Sequence, residues 1–357
     1  MSNGIYLRPI HFIDSPQQYD GASARLAGTM LWFAAVELIQ RDGSQKTRSI
    51  VPVAECHILP DAAQSIFANL TSARAPLQMG ARNIRLDQPQ VMAILNLTPD
   101  SFSDGGKLGD DPDAATAAGV ALSASGAAIL DIGGESTRPG APVVWEGDEI
   151  KRVLPTIERL ARTGTAISID TRKAAVMEAA LSAGGSMIND VSALLYDDRS
   201  LLVAVNSAGP VALMHAPSQS SDAHKGGDYA DVLFDVYDWL DARVAAVEAA
   251  GVDRGRIIID PGIGFGKSLS DNLTIINNLA LFHGIGCPIL FGASRKRMIG
   301  ALSNEASVDA RLGGSVFLAM KAIEQGAHIV RVHDVAETVQ AIHVWRGLRD
   351  AALTAAA

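Results

Sequence analysis

The sequence predicts an α/β chain of the (β/α)8 TIM-barrel class with an N-terminal extension, on three observations. Eight short apolar runs alternate with helical segments, each run ends abruptly in polar residues, and no GxGxxG fingerprint follows the first run. Runs apolar on both faces are what parallel strands covered by helices require. A repeat continuing to eight favours a closed barrel over an open doubly wound sheet. The missing glycine fingerprint lowers the dinucleotide-binding alternative.

Residues 1–75 differ in character and form the extension. They hold a hairpin-like stretch, FAAVELIQRDGSQKTRSIVPV, with turn chemistry at Asp42-Gly43, then a helix expected from Asp61 to Ala73. The barrel is expected over 76–350. Its first segment, LQMGARNIRLDQPQ, reads as a second hairpin placed to plug the barrel bottom. Strands are expected at Val91–Leu95, Ala128–Ile132, Ala166–Ile169, Ser186–Ile188, Pro210–Met214, Arg256–Ile259, Pro288–Phe291 and Ala327–Val332. Amphipathic helices are expected at Ala230–Ala250 and Ala310–Gln325, and residues 351–357 read as a flexible Ala-rich tail.

Composition bounds the function classes. With 357 residues, 48% hydrophobic and 19% charged, the chain can bury a large core, which excludes disorder over most of its length. A net charge of −9 argues against a nucleic-acid partner, since a phosphate backbone demands a concentrated positive face. Cys56 and Cys287 stand far apart in no metal-ligand spacing and read as inert thiols in a reducing compartment. The N-terminus lacks the layout of a signal peptide, and the most apolar stretch, Met30 to Ile39, is too short to cross a bilayer. A soluble, cytoplasmic protein without a membrane partner is expected.

Barrel chemistry sits at the C-terminal ends of the strands. There the runs meet Asn96, Asp131 with GGESTRPG, Asp170-Thr171-Arg172, Asn189-Asp190, His215, Asp260 with PGIGFGK, Ser294-Arg295-Lys296, and Arg331 with His333. Polar residues that merely mark strand ends explain one or two such sites, but explain eight in succession poorly. Gathering the carboxylates Asp131, Asp170, Asp190 and Asp260 is costly unless a ligand or cation partners them.

Residue types then suggest the ligand. Asp170, Asn189 and Asp260 offer acceptors and an amide suited to the edge of a flat, nitrogen-rich heterocycle, and Lys296 suits its carbonyl. Arg331 and His333, one residue apart and so on one side of the strand, suit a phosphate or pyrophosphate. Asn96 is a hard oxygen donor able to complete the shell of a magnesium ion held mainly by diphosphate. The loops carrying Gly105-Gly106 and Gly133-Gly134 are expected to close over the mouth.

These motifs resemble a known family. VMAILNLTPDSFSDGG and GAAILDIGGESTRPGA resemble the two long signatures of the dihydropteroate synthases, which are pterin-binding enzymes. The match continues in family order through ISIDT, MINDVSA, VALMH, IIIDPGIGFGK, GASRKRMIG and IVRVHD, over residues 77 to 348. The resemblance implies condensation of 6-hydroxymethyl-7,8-dihydropterin diphosphate with p-aminobenzoate to give 7,8-dihydropteroate and diphosphate. It implies a pterin pocket of Asp170, Asn189, Asp260 and Lys296, lined by Phe265 and Met214. Thr137, Arg331 and His333 would hold the diphosphate side, with Asn96 on Mg2+, and Arg138 would be a further substrate-binding residue. The p-aminobenzoate would sit beside Phe102, Pro139 and Ser294. The family's habit of pairing through its later helices makes a homodimer the expectation.

Two departures stand out. Arg172 occupies a position where the family usually has a small polar residue, and Ala216-Pro217-Ser218 replaces the usual Met and Gly-containing loop. A pterin-dependent methyltransferase is the nearest rival, and the TPDSFSDGG, STRPG and SRK motifs stand against it. A non-catalytic pterin-binding paralogue would show gaps among Asn96, Arg138, Lys296, Arg331 and His333, and none is missing.

Overall fold

A computed structural model describes residues 4–17, 19–43, 45–98, 111–138, 140–218, 220 and 222–354. The extension is an antiparallel sheet of β1 (Ile5–Ile13), β2 (Ala24–Arg25), β3 (Trp32–Asp42) and β4 (Gln45–Pro52), with β3 pairing all the others. Register runs from Ala35↔Pro52 to Asp42↔Gln45 across β3 and β4, so the hairpin closes at the expected turn. Helix α1 (Asp61–Thr71) covers the sheet, burying Ala63 and Leu70 with Leu7, Phe33 and Val36. The sheet is fastened to the barrel at Tyr6. Its hydroxyl donates to Asp238 at 2.9 and 3.0 Å, and its ring packs on Phe234 and Tyr237.

A hairpin of β5 (Leu77–Met79) and β6 (Arg82–Ile84) leads into eight parallel strands. These are β7 (Gln90–Asn96), β8 (Ile129–Gly133), β9 (Ala166–Asp170), β10 (Met187–Asp190), β11 (Val211–Met214), β12 (Ile257–Asp260), β13 (Leu290–Phe291) and β14 (Ile329–Val332). Their spatial order is β12-β11-β10-β9-β8-β7-β14-β13, and a parallel bridge between Ile259 and Ile289 closes the ring. The eight apolar runs are thus the eight barrel strands, shifted at the ends by one or two residues.

The helices that follow the strands are α2 (Pro112–Ala124), α3 (Glu146–Ala161), α4 (Ala174–Ser182), α5 (Ser200–Asn206), α6 (Val232–Ala249), α7 (Leu269–Asn277), α8 (Arg297–Leu302), α9 (Leu312–Ile323) and α10 (Val335–Thr354). Their ends have local causes. Asp111 caps α2 by accepting from the amides of Asp113 and Ala114, with Pro112 at the first helical position. Ser268 and Asp271 form a reciprocal capping box on α7. Helix α6 starts two residues later than the sequence suggests because Asp231 caps it. Helix α10 runs to Thr354, four residues into the segment expected as a tail. No helix among the described residues is long and apolar enough to cross a membrane.

Candidate active site

Strand alternation decides which side chains enter the barrel. Met92, Ile129, Ala166, Met187, Ala212, Ile258, Leu290 and Ile329 form the lowest inner layer, packed on Leu77, Met79, Ile84 and Leu86 of the hairpin segment. The hairpin therefore plugs the bottom as expected. Residues two positions further along point inward one layer higher: Ile94, Asp131, Ser168, Asn189, Met214, Asp260, Gly292 and Arg331. Another step of two reaches Asn96, Gly133 and Asp170 and, just past β14, His333.

Arg331 stands at the centre. Its Nε donates to Asp131 Oδ2 and its Nη2 to Asp170 Oδ2, both at 2.6 Å. The same Asp131 oxygen accepts from Asn189 Nδ2 at 3.1 Å. Burial alone would lower the guanidinium, but Asp131 and Asp170 outweigh it and hold it above its ordinary value. Burial pushes Asp170 up, while Arg331 pulls it back and Asp131 adds to the rise. Asp260 accepts from Gly262 N at 2.7 Å and is also raised by burial, against the pull of Lys296. Carboxylates raised in this way favour a ligand that brings N–H donors or positive charge.

Lys296 is lowered to about 8 by burial, with Asp260 opposing. Its ammonium donates to Ile263 O and lies 4.7 Å from the centre of the Phe265 ring. Phe265 and Met214 share a small apolar cluster with Val191, Ala216 and Ala223, which gives the polar ring a flat apolar wall. His333 is pushed down to about 3 by burial, then by Arg331 and Arg295, and its Nδ1 lies 3.0 Å from Ser294 Oγ. It is neutral near pH 7. His333 can therefore hydrogen-bond a diphosphate without neutralising it. Ser294 accepts from His333 N at 3.2 Å, so it also orients that imidazole.

Thr137 and Arg138 lie on the loop after β8, and Thr137 O meets His224 Nε2 at 2.9 Å. Arg138 stands close enough to His333 to help depress it. Asn96 Oδ1 and Asp170 Cβ flank Gly133, at 3.4 and 3.5 Å from where a Cβ would stand. No group of three or more His, Cys, Asp or Glu among the described residues could hold a metal. The Asn96 amide oxygen, on the barrel's inner face, is a hard donor of the type magnesium takes. Phe102, Pro139, Gly105 and Gly106 lie outside the described residues.

One acidic residue turns away. Asp190 follows inward-facing Asn189, so alternation sends it outward. It accepts from Ser192 N and Oγ, both at 2.7 Å, and from Leu194 N at 2.9 Å, folding the turn in which Ala193 and Leu194 have positive φ. Its place among the mouth carboxylates is corrected accordingly.

Two residues belong to the frame of the site. Asp131, one of the carboxylates expected at the mouth, lies mid-strand and faces inward in parity with Ile129, whereas Lys267 is not among the expected site residues. Lys267 is buried and lowered to about 7 by that burial. Its ammonium bonds Gly262 O at 2.9 Å and Phe265 O at 3.2 Å and meets His215 Nδ1 at 3.0 Å, pinning the loop after β12. Gly262 in that loop has φ +69°, and a Cβ there would lie 1.9 Å from His215 O.

Residues 92–333 match the family described as pterin binding enzyme. A dihydropteroate synthase of Neisseria meningitidis serogroup C is 44% identical over 278 residues, covering 77% of this chain and 98% of that protein. The structure of Xanthomonas albilineans dihydropteroate synthase with 4-aminobenzoic acid aligns with a TM-score of 0.72 at 45% identity, covering 78% of this chain and 99% of that one. Burkholderia cenocepacia dihydropteroate synthase complexed with 7,8-dihydropteroate aligns with a TM-score of 0.72 at 41% identity, covering 78% and 98%.

Proposed function

The chain belongs to the pterin binding enzyme family, and within it to the dihydropteroate synthases. On that premise we propose that it condenses 6-hydroxymethyl-7,8-dihydropterin diphosphate with p-aminobenzoate, giving 7,8-dihydropteroate and diphosphate. The observation that carries the reading is the convergence of Asp170, Asn189, Asp260, Lys296 and Arg331 on one barrel mouth, where they interact directly or through their fields.

The pterin ring brings N–H donors to the raised carboxylates of Asp170 and Asp260 and a carbonyl to Lys296. Phe265 and Met214 face it as an apolar wall. The C–O bond at the pterin methylene breaks and its electron pair leaves with diphosphate. The resulting cation is delocalised into the ring, where the carboxylates stabilise it. Arg331, Thr137, Arg138 and neutral His333 receive the diphosphate side. The aromatic amine then forms the C–N bond and releases its proton, and its low basicity removes the need for an obligatory general base. Asn96 would hold a magnesium ion, whose chemistry is to neutralise charge on the leaving diphosphate.

The test is to mix the purified chain with both substrates and Mg2+ and measure dihydropteroate. Product in the wild type, nearly abolished in Lys296→Ala, is expected. Near-normal turnover in Lys296→Ala contradicts the assignment.

The macromolecular partner proposed is a second copy of the chain. Phe317 on α9 and Val344 and Leu348 on α10 are each more than 60% exposed, and the last two share one helix face. Light scattering should give a dimer, and a monomer at micromolar concentration contradicts it. The free, buried Cys56 and Cys287 suit a reducing, cytoplasmic setting.

A further inference from the structure

Arg172, the first departure noted in the sequence, reaches the loop that carries the second. Arg172, just after β9, is buried. Its Nε donates to Glu135 Oε2 at 3.0 Å, on the loop after β8, and its Nη1 donates to Ser220 O at 3.3 Å, on the altered loop after β11. The guanidinium lies 4.2 Å from the centre of the Tyr196 ring, which fixes its plane. A second tie joins the same two loops. His224 Nε2 meets Thr137 O at 2.9 Å, and the His224 ring stacks on Phe265 with centroids 4.6 Å apart and 14° between planes. Between the loops lies a cavity of about 120 Å³ lined by Thr137, Arg138, Arg172 and Ala223.

We propose that Arg172 and His224 are positioning residues that strap the loop carrying Thr137 and Arg138 to the loop after β11, holding it in its substrate-binding arrangement before the pterin diphosphate arrives. This rests on the functional reading above. Ordering a loop costs conformational entropy, and a loop already ordered leaves more of the contact energy to appear as affinity. Lys173 also pairs with Glu135, but it divides its ammonium between Glu135 at 2.9 Å and Glu149 at 2.6 Å. A point charge sets distance and not direction. The planar fork of Arg172 sets both, and it adds the bond to Ser220 that a lysine of that length and shape does not reproduce. His224 works from the opposite side. Its ring lies on Phe265, which Lys296 also approaches, so the strap is continuous with the proposed pterin wall.

The experiment is steady-state kinetics on the whole enzyme with Mg2+ and both substrates, beside thermal unfolding of each variant. Wild-type turnover comes first, because its absence would sink the functional reading and not this inference. Arg172→Met should raise KM for the pterin diphosphate about tenfold, the equivalent of one charge-assisted bond, with kcat little changed. Arg172→Lys should recover only part of the loss. His224→Phe keeps a ring for Phe265 but has no donor for Thr137 O, and should raise the same KM. His224→Gln, whose amide can donate, should restore it. If Arg172→Met does not fold, the His224 pair decides. A folded His224→Phe enzyme with wild-type KM overturns the proposal, as does a His224→Gln enzyme equally impaired. A fall in unfolding temperature with unchanged KM, the mark of a merely structural contact, overturns it too.

Discussion

Replacing Arg331 by methionine should expose how much of the barrel mouth depends on one guanidinium. The substitution keeps an unbranched chain of similar reach and deletes the charge. Asp131, with no exposure to solvent, then loses its 2.6 Å bond, and Asp170 loses its own. Removing one partner of a buried ion pair typically costs about 3–5 kcal/mol, because an uncompensated charge remains. Adding Asp131→Asn removes one of the stranded charges and still offers Asn189 an amide oxygen. Urea denaturation at pH 7.5 followed by circular dichroism is the assay. Arg331→Met should be less stable by roughly 3–5 kcal/mol, and the double variant should regain about half of that loss. Neither variant should form dihydropteroate. A loss below about 1 kcal/mol in Arg331→Met, the scale of a solvent-exposed pair, would refute the reasoning. So would simple additivity of the two substitutions.

Other consequences are equally concrete. Lys296, lowered to about 8 by burial, loses its charge as pH rises through that value, so kcat/KM should fall above pH 8. Lys296→Arg should move that limb beyond about pH 10 in whatever activity survives, because a guanidinium keeps its proton there. An unmoved limb would assign it to another group. His283 is buried and held down to about 3 by burial and then Arg74, with its ring 5.4 Å from that of His328. Its folded value lies below the unfolded one, so the unfolded state takes up the proton first and stability drains as pH falls from 6.5 towards 3. Wild type should therefore lose stability relative to His283→Asn by about 1.4 kcal/mol per pH unit below about pH 6, and parallel curves would contradict this. Gly262→Ala should cost at least ~3 kcal/mol, because a methyl at φ +69° meets His215 O, and should raise KM for the pterin substrate by loosening the Asp260 contact. Unchanged stability and KM would show that the loop can shift freely.

The barrel was legible because its strands advertise themselves twice. Stretches such as IIID and IVRV are apolar until a charged residue breaks them near the barrel mouth, and each of them is a strand. The alternation that put Arg331 and His333 on one side of β14 holds in the structure. Depth was harder to read. Parity shows that Asp131 points inward, but only the ring of neighbouring strands reveals that it meets Arg331 across 200 residues of sequence. Asp190 misled because adjacent residues in a strand face opposite ways, and only Asn189 of that pair looks into the barrel. The frame contacts at Arg172, His224 and Lys267 left no periodic trace. Each depends on where a loop folds back, and a loop carries no repeat from which to infer its partner.

A crystal structure with 7,8-dihydropteroate tests the central claim most directly. The account predicts the pterin ring inside the barrel mouth, its N–H edge on Asp170, Asn189 and Asp260, its carbonyl on Lys296 and its flank against Phe265. A pterin bound elsewhere on the chain, or one in the mouth that leaves Asp260 and Lys296 untouched, would contradict it.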